Sequence, residues 1–116
     1  MSVLAHIGRG IEKKLLTVIV RAGEGQRLVE MFAEVPGVLS ISHHHARGMG
    51  SRRVRAGQLY FDEKDVLLVL VEEASADEVF AGIFREGRLG EAGAGMIFME
   101  KILRGHPMMP FAGADW

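Results

Sequence analysis

Two segments of the chain are apolar at nearly every position, and each predicts a buried strand. Residues 15–20 are rich in β-branched side chains, and residues 66–71 contain no polar side chain. Such short apolar runs are typical of buried strands. A sheet with one face in water should alternate apolar and polar positions. These two strands therefore predict a sheet that is covered on both faces.

Two further strands are predicted from weaker patterns. In residues 38–42, Leu39 and Ile41 alternate with serines, which is the period of a half-buried strand. Residues 96–103 begin with four apolar positions after a glycine-rich turn, and we interpret them as the last core strand.

Two helices are predicted from apolar residues at helical spacing. The first covers residues 26–34 and ends before Pro36-Gly37. The second begins at Ser75, because Glu78 three residues later completes a capping box, and Gly87 is its expected end. The apolar stripes of both helices should enter the core; they include Met31, Phe32, Val79, Phe80, Ile83 and Phe84.

The order strand, helix, strand, strand, helix, strand predicts an α+β fold. We expect the ferredoxin-like βαββαβ topology, with a four-stranded antiparallel sheet and both helices on one face. The other face, being apolar, should pack against further copies of the chain in a closed assembly. We place an N-terminal extension at residues 1–12, the domain at 13–105 and a C-terminal tail at 106–116.

Composition limits the classes of partner. The chain has 116 residues and a net charge of −1, which argues against binding to nucleic acid. It has no apolar run of the roughly 18 to 20 residues that a membrane-spanning helix needs, so we expect no membrane insertion. It has no cysteine, which excludes thiolate chemistry and fits a cytoplasmic location.

The triplet His43-His44-His45 is a candidate metal site. In a strand, His43 and His45 project to one face and His44 to the other. Two imidazoles so placed can share a transition metal with a third ligand from elsewhere. The alternative interpretation is a set of partly exposed histidines at the end of a strand.

The segment after the histidines carries Arg47, Arg52, Arg53 and Arg55. Its pattern fits either an extended hairpin or a long loop. The guanidinium groups could bind a phosphate, a bicarbonate-sized anion or an acidic partner, or they could simply be solvated.

A second candidate site is the turn that contains Gly90, Gly93 and Gly95. Glycine-rich turns can present backbone amides to an anion, but they also serve where a tight turn needs positive φ. The chain offers no nucleophile beside a base and no evident pair of catalytic carboxylates, so we expect that it is not an enzyme.

Three features of the sequence resemble the P-II signal-transduction family. The order of elements agrees over residues 13–104. Gly48-Met49-Gly50 stands where the family has G-F-G before its long T-loop. Residues 93–99, Gly-Ala-Gly-Met-Ile-Phe-Met, are similar to the family's G-D-G-K-I-F-V.

The resemblance implies a homotrimer with its sheets facing inward and adenine nucleotides in clefts between subunits. It also implies that the segment 43–61 contacts a partner protein, such as a transporter or a metabolic enzyme. Met96, Glu91 and Ala94 replace two lysines and an aspartate of the family, so any nucleotide should be held weakly. The residues implied for nucleotide binding are Gly48, Gly50, Arg52, Gly93, Gly95 and Arg104.

Three functions are compatible with the sequence. The favoured one is a P-II-like regulatory trimer that senses a small ligand and acts on a partner protein in nitrogen regulation. The alternative is a metal-responsive binding protein that uses His43 and His45, and the third is a purely structural oligomer whose loop only binds a partner protein.

Overall fold

The computed structural model describes residues 8–9, 12–55 and 58–105; of residues 8–9, 48–55, 58–62 and 104 it describes the backbone. The tail predicted at 106–116 and most of the predicted extension lie outside these residues. No helix in the described part of the chain is long and apolar enough to cross a membrane.

The centre of the fold is a four-stranded antiparallel sheet in the order β3-β4-β2-β5. With helix α1 after β2 and helix α2 after β4, the arrangement is the predicted ferredoxin-like βαββαβ fold. The strands are β2 Lys13–Arg21, β3 Val38–Arg55, β4 Gln58–Glu72 and β5 Gly95–Lys101, and the helices are α1 Gly25–Phe32 and α2 Glu73–Glu86.

A small second sheet joins the two ends of the described chain. Strand β1, Gly8–Arg9, pairs antiparallel with β6, Arg104–Gly105. Part of the predicted extension therefore pairs with the last residues of the predicted domain, and the boundary at residue 13 remains a prediction.

The core lies between the helices and one face of the sheet. Leu16, Val18 and Val20 of β2 alternate into it, and so do Leu67, Val69 and Val71 of β4. Leu28 and Phe32 of α1 and Val79 and Ile83 of α2 complete the core cluster.

The opposite face of the sheet, here called the open face, also carries apolar side chains. Thr17 of β2 is flanked in register by Leu68 and Phe98, which are 37% and 42% exposed. The next row holds Ile19, flanked by Val66 and Met96. The described part of the chain covers this face only in part.

Two expectations about the helices are wrong. Helix α2 begins at Glu73 and has no side-chain cap. Ser75 instead packs against Gly37, so closely that a Cβ on Gly37 would overlap the Ser75 hydroxyl group. Met31 and Phe84 are 41% and 44% exposed, because each stripe is wider than the surface that the sheet covers.

The histidine- and arginine-rich segment forms a hairpin rather than a loop. Strand β3 extends over 18 residues, and its pairing with β4 continues to Arg55 and Gln58. Strand β2 stops pairing with β4 at Lys64. Beyond that point β3 and β4 pair only with each other among the described strands; this two-stranded extension, residues 47–55 and 58–63, is the arm.

Candidate functional site

A buried carboxylate, Asp65 of β4, lies where the four-stranded sheet gives way to the arm. Its side chain is 0% exposed. Asp65 is the direct register partner of His45 in β3, and Asp65 Oδ1 lies 2.9 Å from His45 Nδ1. The other oxygen, Oδ2, accepts hydrogen bonds from the backbone N–H groups of Gly23 and Gly25, at 2.9 and 2.8 Å.

The two glycines belong to the connection between β2 and α1. Gly23 has a φ of +95°, a conformation that glycine adopts without strain, and Gly25 is the first residue of α1. The first amides of a helix lack partners within the helix and attract negative charge. Asp65, from a distant strand, therefore supplies the acceptor that this helix start needs.

The contacts of Asp65 decide its protonation. Burial alone would raise the pKa of this carboxyl. The amide of Gly25, the imidazoles of His43 and His45 and the amide of Gly23 oppose that effect, and the pKa of Asp65 falls below its ordinary value. Asp65 is consequently an anion at neutral pH.

His43 approaches the same carboxylate from the side of the core. Its Nε2 lies 3.3 Å from Asp65 Oδ2, and its side chain is 19% exposed. The contact is close enough for electrostatic attraction but is not aligned as a hydrogen bond. Nε2 is buried and has no hydrogen-bond partner among the described residues.

Gly25 leaves the space that His43 occupies. A Cβ built on Gly25 would overlap His43 Nε2 and would lie 2.9 Å from Asp65 Cβ. Any side chain at this position would therefore displace the imidazole or the carboxylate.

His43, His45 and Asp65 together form a three-residue cluster. Their potential ligand atoms all lie within 4.8 Å of one another, and the two imidazole rings meet edge to face with centroids 4.8 Å apart. His44 projects from the opposite face of β3, with Nε2 3.0 Å from Ser42 Oγ. The alternation of the triplet is as predicted, while metal binding stays a prediction.

Asp65 is the member of the cluster that sequence reasoning missed. In the sequence it is the last of four consecutive charged residues, 62–65, a pattern that is typical of a polar turn. The available signal was its place directly before the most apolar strand, in phase with Leu67, Val69 and Val71, all of which are buried. A charged residue in phase with a buried face needs a partner.

Solvent reaches the cluster from one side. The side chain of His45 is 81% exposed and lines an open groove of about 340 Å³. Arg47 and Glu63 also line this groove, and Arg47 Nη2 donates a hydrogen bond to Glu63 Oε1 at 2.9 Å. The cluster is thus closed toward α1 and open toward the arm.

Comparison with known proteins assigns this chain to a family. The family model described as nitrogen regulatory protein P-II matches residues 13–104, which include every strand and helix of the four-stranded sheet domain. The chain belongs to the P-II family.

Relatives of this P-II family protein support the assignment. It is 28% identical to the nitrogen fixation nifHD region glnB-like protein 1 of Methanococcus maripaludis, over 77% of this chain and 87% of the relative. Two solved structures share the fold. The Bacillus subtilis GlnK–ATP complex matches with a TM-score of 0.60 and 18% identity, over 78% of this chain and 81% of that one. Arabidopsis thaliana PII bound to citrate gives 0.61 and 21%, over 78% of each chain.

The glycine turn of this P-II family protein has a structural explanation. Gly95 has a φ of +145°, and a Cβ there would overlap the carbonyl oxygen of Ile19. Gly93 has a φ of +73°, but space around it is open. Gly95 therefore serves the strand pairing, whereas Gly93 leaves a backbone face accessible.

The residues implied for nucleotide binding do not converge within one chain. Gly95 pairs with Val20, which pairs in turn with Asp65, so the glycine turn lies about 10 Å from the cluster at the same end of the sheet. Arg104 follows the far end of β5 and lies in β6. Gly48, Gly50 and Arg52 lie on the β3 strand of the arm.

Proposed function

We propose that this P-II family protein is a homotrimeric regulator that senses a small ligand and controls a partner protein through its arm. Proteins of the family are regulatory, form trimers and act on partner proteins. The proposal includes a cytoplasmic location and no enzymatic activity.

The exposed apolar side chains on the open face of the sheet are the observation that supports the trimer. Leu68, Phe98 and Met96 expose 37%, 42% and 55% of their surface on the face opposite the two described helices. Contiguous apolar surface of this kind marks an interaction site. Three copies that turn this face inward would bury it and leave all the helices and arms outside.

The arm is the part of the chain best placed to reach a partner. It extends beyond the sheet and carries Arg47, Arg52, Arg53 and Arg55. Arg47 contacts Glu63 within the arm, and the sequence adds three further arginines on the same strand. Positive charge of this kind favours a partner with an acidic or carbonyl-rich pocket, and we propose a transporter or a metabolic enzyme as the class of partner.

An adenine nucleotide is the proposed small ligand, bound weakly between subunits. A related GlnK was solved as a complex with ATP. In this chain Met96 stands in place of the family's lysine, and Glu91 is an exposed carboxylate in the same turn. Binding would therefore depend on the amides near Gly93 and on arginines such as Arg52 and a neighbour's copy of Arg104.

Calorimetric titration of the full chain with ATP, ADP, AMP and cyclic AMP tests the sensing function. Sedimentation equilibrium should first give about three times the chain mass of 12.7 kDa. We expect a weak heat signal for at least one nucleotide. A monomer at micromolar concentration would overturn the trimer, and a silent trimer would remove the nucleotide from the proposal.

A metal-responsive regulator is the second candidate, because His43, His45 and Asp65 meet at the base of the arm. In that case the metal, rather than a nucleotide, would be the ligand that alters the arm.

A further inference from the structure

We propose that His43, His45 and Asp65 are the three protein ligands of a divalent transition metal, of the zinc, copper or nickel class, with a fourth position open to the groove. The proposal concerns the cluster within one chain, so it stands whether or not the protein is a trimer or binds a nucleotide.

The first argument is the buried nitrogen of His43. A buried polar atom without a hydrogen-bond partner lowers stability, and such atoms call for a specific explanation. His43 Nε2 is buried, has no hydrogen-bond partner among the described residues and faces the Asp65 carboxylate. A metal ion between these two groups would accept the nitrogen lone pair.

The second argument is the donor set. Two imidazoles and one carboxylate suit zinc and its neighbours, whereas calcium and magnesium prefer six or more oxygen ligands. Three protein ligands with one open position are the arrangement of zinc sites that exchange water or bind a further molecule. The carboxylate also offsets one of the two charges of the ion.

The third argument is the support behind the carboxylate. Ligating carboxylates in proteins are themselves hydrogen-bonded, which fixes their orientation. Asp65 Oδ2 is already held by the amides of Gly23 and Gly25, and Oδ1 faces His45. Oδ2 also lies 3.3 Å from His43 Nε2, so each carboxylate oxygen is next to one histidine nitrogen, and the two amides fix the orientation of the carboxylate.

The distances allow metal binding with small side-chain movements. Ligand atoms about 2.0 to 2.1 Å from a tetrahedral ion stand roughly 3.3 Å apart. His45 Nδ1 and Asp65 Oδ1 are 2.9 Å apart, and the widest separation in the cluster is within 4.8 Å. The 2.9 Å separation would have to lengthen by about half an ångström, and the widest separation would have to shorten by at most about 1.5 Å. The exposed ring of His45 is free to make it.

The test is metal binding by the full chain, first freed of metal with a chelator. Competition with a chromogenic chelator gives the zinc affinity, and the visible absorption of the cobalt complex reports tetrahedral coordination. We expect one metal per chain. Loss of one ligand should weaken binding at least 10- to 100-fold, since loss of an outer hydrogen bond alone typically costs that much.

His45→Ala is the principal variant, because this side chain is 81% exposed and its removal should not impair folding. His44→Ala is the matched control on the opposite face of the same strand. The cobalt spectrum should be lost or changed in His45→Ala and His43→Gln and retained in His44→Ala.

Three results would overturn the proposal. One is no zinc binding by the wild-type chain at micromolar metal. Another is equal affinity in His45→Ala and wild type, which would move the binding to another histidine, such as His6 or His106. The third is an equal loss in His44→Ala, which would indicate unspecific binding by the triplet.

Discussion

Asp65 and His45 face each other across paired strands, with Asp65 Oδ1 2.9 Å from His45 Nδ1, while the other oxygen of Asp65 holds the first amide of α1. One carboxylate thus connects a helix start, the sheet and the base of the arm. A change in the contacts of this carboxylate would therefore affect the helix start, the sheet and the base of the arm together, because the same group holds a backbone or side-chain atom of each.

Replacing Gly25 by alanine should disturb the cluster directly. The new Cβ would overlap His43 Nε2 and crowd Asp65, and overpacking of this kind typically costs about 1 to 3 kcal/mol. Urea unfolding would measure the loss, and zinc competition should show weaker binding. Gly90→Ala is the control, because its Cβ would come no closer than 3.3 Å to the ring of Phe84. Equal stability of the two variants would contradict the crowding described at His43.

The stability of the metal-free chain should decline in acid through Asp65. Its pKa is lowered in the folded state, so its stabilising contribution is present above the unfolded value, about 3.9, and is lost as pH falls through the folded value. The free energy of unfolding, measured with a chelator from pH 6 to pH 3, should fall most steeply below about pH 4.

Asp65→Asn should lower stability at pH 6 and flatten this decline. Asp77→Asn, on the exposed face of α2, controls for the change of one charge. A decline as steep in Asp65→Asn as in the wild type would show that other carboxylates cause it.

The open face can be tested with two phenylalanines of similar exposure. Phe98 on the open face and Phe84 on α2 are 42% and 44% exposed. Phe98→Asp should abolish the proposed trimer, because it would bury an unpaired charge at the interface, while Phe84→Asp should leave it intact. Sedimentation equilibrium distinguishes these results. Loss of the trimer in the Phe84 variant instead would place the interface on the helices.

Met96→Lys should strengthen ATP binding if the proposed cleft exists. A charge-assisted hydrogen bond contributes about 1.5 to 3 kcal/mol, or roughly 10-fold or more in affinity. Calorimetry on the intact trimer would measure the gain. Met31→Lys, at a methionine of α1 that is 41% exposed, controls for the added charge. An unchanged affinity in Met96→Lys would exclude a phosphate site at this position.

The fold was predictable because its signals are local. The apolar runs 15–20 and 66–71 and the helical spacing of Leu28 and Phe32 need no knowledge of distant residues. The exposure of Met31 and Phe84 was not predictable, since it depends on how much of each helix the sheet covers. A periodic apolar stripe shows which side of a helix faces the core, but it does not show how much of that side the sheet covers.

The cluster was predictable only in part. Alternation along one strand places His43 and His45 on one face. Asp65 enters through the register of β3 with β4, which joins residues 20 apart, and through a backbone turn near Gly23. Neither the register nor the turn can be predicted from the residues of the triplet. A register shift of one residue between β3 and β4 would place the Asp65 side chain on the opposite face of the sheet.

The arm has a consequence for how a partner would recognise it. Among the described strands, β3 is the outer strand of the sheet, and beyond Lys64 the far side of β4 is unpaired as well. Both edges of this ribbon therefore offer backbone N–H and C=O groups to which an extended segment can add as a further strand. Recognition of that kind depends on main-chain hydrogen bonds. Replacing individual arginines would therefore leave it intact, whereas a proline introduced into an edge of the arm would remove an N–H group and weaken it.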